Sequence, residues 1–393
     1  MCGFFYFCCW EDLKEDPLIK VKSEIKKALI ERGGENYNET TKSDEGKYVF
    51  TAHALLPIFG DLETNYPIES ENSSLLFNGQ IYGIKNQLIK DSNYKNDGFA
   101  LKDYLDLDGK NSFNSILNIP NDLSGQFSFV YINKYSKIIL LAHDLAGQKP
   151  IYFLKTKKIL IVSSILEILS LFTSSNKDRM YPNKLFSLPY KFSDIEKIPP
   201  GGVVKFDLDN GKLLLSKSIY SYFRLFMQSL CFEKKELLLK EEFFLSINEI
   251  IPKNKNFVLS LSGGYDSTNI ALGIKLLGYK PTNVFTIQND NNSLDVKVAQ
   301  EICEQFNWSH TLIKPLKKLN GIDYSSIPND PAALSIASIA KNAISYSNVI
   351  LCGDGGDEIS RRYIRFLYYR FPLNILKLIK SLKFISLMDL LIT

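Results

Sequence analysis

Phe257-Val258-Leu259-Ser260-Leu261-Ser262-Gly263-Gly264-Tyr265-Asp266-Ser267 is the stretch on which the fold turns. Its first five residues make a short apolar run of strand length. Ser262-Gly263-Gly264 is a tight turn, and Ser267 to Leu277 carries helical periodicity. The same alternation continues downstream. Val284 to Ile287 reads as a strand, Leu294 to Phe306 as a helix and Thr311 to Ile313 as a strand. Ala332 to Ser345 reads as a helix and Val349 to Cys352 as a strand. Strands alternating with helices predict an α/β unit built on a doubly wound parallel sheet. Upstream, the charged passage from about Glu233 to Glu249 predicts a linker helix.

The part before that helix has a different rhythm. Tyr48-Val49-Phe50, Ser74 to Phe77, Phe127 to Ile132, Ile138 to Ala142, Ile151-Tyr152-Phe153 and Ile159 to Ser163 are short apolar runs. They predict a β-rich α+β domain, with two layers of sheet and flanking helices. Asn78-Gly79 and Pro199-Pro200-Gly201-Gly202 read as turns between such runs. The expected division is residues 2–206 for the first domain, 207–250 for linker and helix, and 251–393 for the second domain.

Composition narrows the class. With 393 residues, 45% hydrophobic and 23% charged, the chain is long enough for two ordinary cores. A net charge of +4 is too mild for nucleic acid or an anionic membrane to be the main partner. The six cysteines, Cys2, Cys8, Cys9, Cys231, Cys303 and Cys352, have no zinc-site spacing. The apolar opening from Met1 to Trp10 lacks the basic start of a secretory signal, so a cytoplasmic, reducing location is expected. The stretch from Phe366 to Thr393 is apolar but interrupted by Arg370, Lys377, Lys380 and Lys383. It reads as core helices, with a membrane-surface helix as the lesser alternative.

Three segments carry chemistry. In the opening stretch, glycines let the backbone approach an anion, and the following helix start aims N–H groups at it. Ser262 and Ser267 add hydroxyls, and Asp266 can hold a cation or cap the helix. Alone, Ser-Gly-Gly is also what a plain turn looks like. Leu351-Cys352-Gly353-Asp354-Gly355-Gly356-Asp357-Glu358 lies at the C-terminal end of another strand, where open α/β sheets bind ligands. Its carboxylates are natural Mg2+ ligands beside a triphosphate, and a capped turn is the plain alternative. Met1-Cys2 is the third. Removal of Met1 would leave a terminal thiol with its own amine as base. Most such cysteines are buried hydrophobes, and Cys8 and Cys9 are read that way.

These segments together resemble one family. Ser262 to Ser267 resembles the Ser-Gly-Gly-x-Asp-Ser loop of N-type ATP pyrophosphatases. Leu351 to Glu358 resembles the second nucleotide loop of the asparagine synthetase family. Leu76-Phe77-Asn78-Gly79-Gln80-Ile81-Tyr82 resembles the Asn-Gly-Glu-Ile-Tyr segment of class II glutaminases, and Asn96-Asp97 a substrate-binding segment. His143 to Tyr152 resembles a structural hairpin of that family, and Ile198-Pro199-Pro200-Gly201 its closing turn. The resemblance implies an N-terminal-nucleophile αββα sandwich followed by an ATP-pyrophosphatase domain. It makes Cys2 the nucleophile and puts Asn78 and Gly79 in the oxyanion hole. Asn78, Gly79, Gln80 and Asp97 would bind glutamine. Leu261, Ser262, Gly263, Gly264, Asp266, Ser267, Ile287, Cys352 and Gly353 would bind ATP. Asp354 would serve the acyl-adenylate, and Asp266 and Asp357 would hold Mg2+. The implied reaction is a glutamine-dependent amide-forming ligation, by default of aspartate to asparagine. Its alternatives are another acceptor such as a sugar acid, a β-lactam or lasso-type ring closure, and a non-catalytic nucleotide-binding remnant.

Three departures stand against the pattern. Leu55 in Ala52-His53-Ala54-Leu55 occupies the place of an Arg that clamps the glutamine carboxylate, and Leu makes no bidentate contact. Ser360-Arg361-Arg362-Tyr363 replaces Phe-Gly-Gly-Tyr. The Lys-bearing helical segment that completes the family's synthetase site has no match before Thr393. The expectation is a fragment, a decayed copy or half of a split enzyme, with a homodimer or a separate C-terminal subunit as possible partners.

Overall fold

A computed structural model describes residues 2–11, 16–34, 36–44, 46–56, 64–85, 87–110, 118–173, 194–218, 232–252, 254–288, 293–316 and 331–353. The chain divides into two compact units, Met1–Arg224 and Leu225–Thr393.

Two antiparallel sheets make the first unit. One has the order β11-β9-β10-β1-β3-β2, with β1 Gly3–Cys9, β2 Tyr37–Asp44, β3 Lys47–Ala54, β9 Tyr152–Lys155, β10 Ile159–Ser163 and β11 Ile195–Lys197. The other has the order β13-β12-β8-β7-β5-β4. Its strands are β4 Ile68–Glu69, β5 Ser73–Ile84, β7 Leu123–Asn133, β8 Ile138–His143, β12 Gly202–Asp207 and β13 Leu213–Ser218, with β6 Gln87–Leu88 paired to β5.

All seven residues of β1 are buried, which requires cover on both faces. Side chains alternate along a strand, so each face meets a different partner. Phe4, Tyr6 and Cys8 join Leu76, Val130, Leu141 and Phe206 in the core between the sheets. Phe5, Phe7 and Cys9 pack with Ile25 and Leu29 of α1 (Lys22–Gly33) and Ile168 and Leu169 of α2 (Leu166–Ser170). On the far side of the second sheet, Ala100, Leu101 and Leu105 of helix α3 (Asp97–Lys110) pack on the same core as β5. The observed layering is helix, sheet, sheet, helix.

Two expectations need correction here. Asn78-Gly79 is not a turn: it lies within β5, with Asn78 opposite Ser128 and Gly79 opposite Phe127. The glycine explains why. Gly79 has φ 140°, and a Cβ there would stand 2.0 Å from the Gln126 carbonyl oxygen, so the strands close up only where no side chain intervenes. The boundary at 206 also falls inside β12. That strand pairs with β13, so the second sheet runs on to Ser218.

The second unit has a four-stranded parallel sheet in the order β16-β15-β14-β17: β14 Val258–Ser260, β15 Asn283–Ile287, β16 His310–Ile313 and β17 Ile350–Leu351. Helix α4 (Phe232–Ile250) precedes it. Helices α5 (Tyr265–Leu276) and α6 (Leu294–Phe306) share one core with Ile247 of α4. Helix α7 (Pro331–Ala343) covers the other face through Ile339 and Ala343. The winding reverses between β14 and β17, which makes their C-terminal ends the switch point where such sheets bind ligands. Among the described residues, no helix is long and apolar enough to cross a membrane.

The double burial of β1 carries a stability prediction. Phe5 is fully buried, with its ring stacked on Phe172 and tilted against Phe50. In the full-length chain, Phe5→Ala is expected to lower the unfolding free energy of the first unit by about 3–5 kcal/mol, read by denaturant titration.

Candidate active site

Cys2 stands just before β1, and its placement follows from the strand. Phe4 N–H donates to Ser164 Oγ (3.1 Å), and Ser163 Oγ donates to Phe4 O (2.9 Å). These bonds tie the strand start to the turn after β10. Cys2 is 8% exposed. Its Sγ accepts from Leu56 N–H at 3.3 Å. Burial pushes its thiol pKa up, and the nearby Asp97 charge pushes the same way. The Leu56 N–H and the Lys149 charge oppose them. A thiol held neutral like this needs a base before it can attack.

Across the sheet interface lies Asn78. It is 0% exposed, and neither Oδ1 nor Nδ2 has a hydrogen-bond partner. An orphaned buried amide costs about 1–3 kcal/mol, so native proteins keep one where a ligand supplies the partner. Gly79 follows on the same strand, and Gln80 is half-buried beside it. Asp97 heads α3 and is 7% exposed. Its Oδ2 accepts from Ile81 N–H at 2.9 Å, which draws it to β5. Leu55 packs on the inter-sheet core and offers no charge.

Sequence reasoning missed two cations here. The charges of Arg32 and Lys149 both act on Cys2, and burial is the main cause that depresses the pKa of each. Arg32 Nη1 donates to Ser164 O at 3.0 Å, while its buried Nε has no partner. Nothing in local spacing could have found them, because they lie some thirty and nearly one hundred and fifty positions from Cys2. Gly3 gives the contact: a Cβ there would meet the Arg32 Cδ at 3.6 Å.

In the second unit the two predicted loops meet. Gly353 packs against the start of α5, where a Cβ would come within 2.6 Å of Ser267 N. Ser262 Oγ and Ser267 Oγ are 2.9 Å apart, and Ser262 N–H donates to Ser267 Oγ at 3.1 Å. Gly263 lies against Asp295 in the first turn of α6, and Gly264 is the N-cap of α5. Asp266 sits half-buried in the first turn of α5, Ile287 ends β15 half-buried, and Cys352 is exposed. Leu261 differs from expectation. Its side chain is fully buried in the core and its carbonyl accepts from Thr286 Oγ1 at 2.6 Å. Only its backbone can border a nucleotide. Asp354, Asp357 and Ser360 to Tyr363 lie outside the described residues. Among the described residues, no three His, Cys, Asp or Glu side chains converge as a metal site. An Mg2+ bound with a triphosphate needs only one or two carboxylates, and Asp266 fits as one.

The comparisons agree with this division. The profile of the glutamine amidotransferase domain family matches residues 1–218, and that of asparagine synthase matches residues 251–380. The chain therefore belongs to the glutamine amidotransferase family, with the two-part architecture of an asparagine-synthetase-like amidotransferase and its ATP-pyrophosphatase unit. Curated proteins yield no match. Among solved structures, the NMN synthetase from Francisella tularensis is 22% identical, over 28% of this chain and 52% of that chain, with a TM-score of 0.23. The chain thus spans about half of that synthetase. The glutamine phosphoribosylpyrophosphate amidotransferase from B. subtilis, complexed with ADP and GMP, is 10% identical. That match covers 89% of this chain and 90% of that one, with a TM-score of 0.31. An allosteric regulatory enzyme of purine biosynthesis is 10% identical over 89% of each chain, with a TM-score of 0.37.

Two predictions rest on this geometry. Burial lifts the Asp97 carboxyl to about 7 against three backbone N–H groups that pull it down. Between about pH 4 and pH 7 the folded chain keeps this proton and the unfolded chain releases it. Asp97 therefore contributes stability that is lost as pH rises through the window. Asp97→Asn should flatten that slope, read by denaturant midpoints at about pH 5 and about pH 7.5. Separately, Gly353→Ala should push the two loops apart and weaken ATP binding by tenfold or more, about 1.4 kcal/mol, in calorimetric titration.

Proposed function

We propose that this chain is a glutamine-dependent, ATP-driven amide-forming ligase. The orphaned amide of the fully buried Asn78 carries the reading. It is an unfilled hydrogen-bonding position on the strand that faces the Cys2 end of β1, as an oxyanion site requires. In the proposed reaction, removal of Met1 frees the α-amine of Cys2, the thiol gives its proton to that amine, and the thiolate attacks the glutamine amide carbon. Asn78 Nδ2 and the Gly79 N–H stabilise the resulting oxyanion. The proton passes to the departing ammonia, and water hydrolyses the thioester to glutamate. Asp97 receives the donor's ammonium group. Lys149 and Arg32, whose charges act on Cys2, would receive the donor's carboxylate in place of the Arg that Leu55 lacks.

At the second site, Ser262, Gly263, Gly264, Ser267 and Gly353 would cradle ATP, with the Leu261 backbone, Ile287 and Cys352 at its border. Asp266 and Asp357 would hold Mg2+ on the phosphates. A carboxylate oxygen attacks the α-phosphorus and pyrophosphate leaves. Ammonia then displaces AMP from the acyl-adenylate, in whose formation Asp354 takes part. Aspartate is the default acceptor. Leu55 favours one second reading, a first domain that takes a different amide donor.

The test is glutamate release from glutamine by the full chain, beside Cys2→Ala. Release that disappears in the variant is expected; no release from folded protein sinks the glutaminase half. Leu55→Arg is expected to lower KM for glutamine by about tenfold to a hundredfold, since a hydrogen-bonded charge contributes about 1.5–3 kcal/mol.

A further inference from the structure

Among the described residues, no strand covers the edge of the second sheet at the site, and two side chains fill it where one would otherwise lie. β4 pairs with β5 only at Ile68–Leu75 and Glu69–Ser74. It is preceded by Pro67, which has no N–H to extend the ladder. Backbone groups alternate along β5. Ser73 O accepts from Ser70 on the β4 side, and Asn72 O accepts from Lys134 on the β7 side. Odd-numbered residues of β5 therefore point to the β4 side. The partner strand agrees: Phe127, opposite Gly79, turns its N–H to Asp144 Oδ2 and its O to Asp144 N–H, away from β5. Past Leu75 the open edge presents Phe77, Gly79 and Ile81. The Phe77 carbonyl accepts from His53 Nε2 at 2.8 Å, and the Ile81 N–H donates to Asp97 Oδ2 at 2.9 Å. The Gly79 N–H lies between those two caps.

His53 comes from the other sheet. It lies in β3 opposite Phe4, two residues from Cys2, and is 1% exposed. Tyr66 stacks on its ring at 4.3 Å and 25°. A carbonyl can only accept, so Nε2 carries the hydrogen. We propose that His53 is a positioning residue, tying the sheet that bears Cys2 to the strand that bears Asn78 and Gly79. It fixes the spacing between nucleophile and oxyanion donors. The catalytic consequence rests on the glutaminase reading above; the tie itself does not.

The test uses the full-length chain with His53→Phe, which keeps a ring against Tyr66 and loses the donor. A second variant, His53→Gln, restores a donor near the Nε2 position. Amide hydrogen exchange over residues 76–81 reads the tie without activity. Exchange about tenfold faster in His53→Phe, restored by His53→Gln, is expected; unchanged exchange in His53→Phe overturns the proposal. Where the parent releases glutamate, His53→Phe should lower kcat by tenfold or more while KM stays within about threefold, because misplaced oxyanion donors slow chemistry rather than binding. A shift confined to KM, or a Gln variant no better than Phe, overturns the positioning role. A parent that releases no glutamate refutes the glutaminase reading alone, and the exchange result still decides the tie.

Discussion

Every feature of the first site hangs on a strand with no wet face. β1 carries six buried side chains in a row, three of them committed to the inter-sheet core and three to the helices. Sliding it by one residue would exchange the two sets, so its register is pinned on both sides at once. Cys2 is the residue before that strand. Its position is therefore set by Phe4 to Cys9 and by the Ser163 and Ser164 bonds, far more than by contacts of its own.

Against this fixed half stands a strand edge left unfinished. Backbone donors at a sheet edge are normally paired or covered. Here β4 stops early, and single side chains from β3 and α3 do the capping at Phe77 and Ile81. Side-chain caps leave gaps that a continuous strand would close. A strand edge with one donor left between two caps is the geometry on which the proposed oxyanion position rests. The cost is visible in Asn78, whose amide is buried without a partner.

The second unit uses the general rule of parallel sheets instead. Its loops meet because winding reverses between β14 and β17, which brings two strand ends side by side with no helix between them. Gly353 against Ser267 is the point of contact, and it tolerates nothing larger than hydrogen.

Much of this was legible in the residues. The helix Leu294–Phe306 appears as periodicity predicted it, and the other described second-unit elements differ at their ends by only a few residues, because local patterning decides α/β units; the helices expected over Phe366 to Thr393 lie outside the described residues. The loops Ser262–Ser267 and Cys352-Gly353 were legible as tight glycine loops at strand ends, and they meet in the structure. Asn78-Gly79 misled, since a dipeptide common in turns also suits a strand that needs a close approach and a buried amide. Arg32 left no mark on any window of sequence, and Lys149 and His53 stood inside family-like segments that gave no sign of their partners. Sequence by itself determined the two units, the strand and helix order of the second and the chemical kinds of residue available. Tertiary structure alone decided which of them share one site, because charges and hydrogen bonds act over a few ångströms of space while these partners are separated by tens of residues of chain.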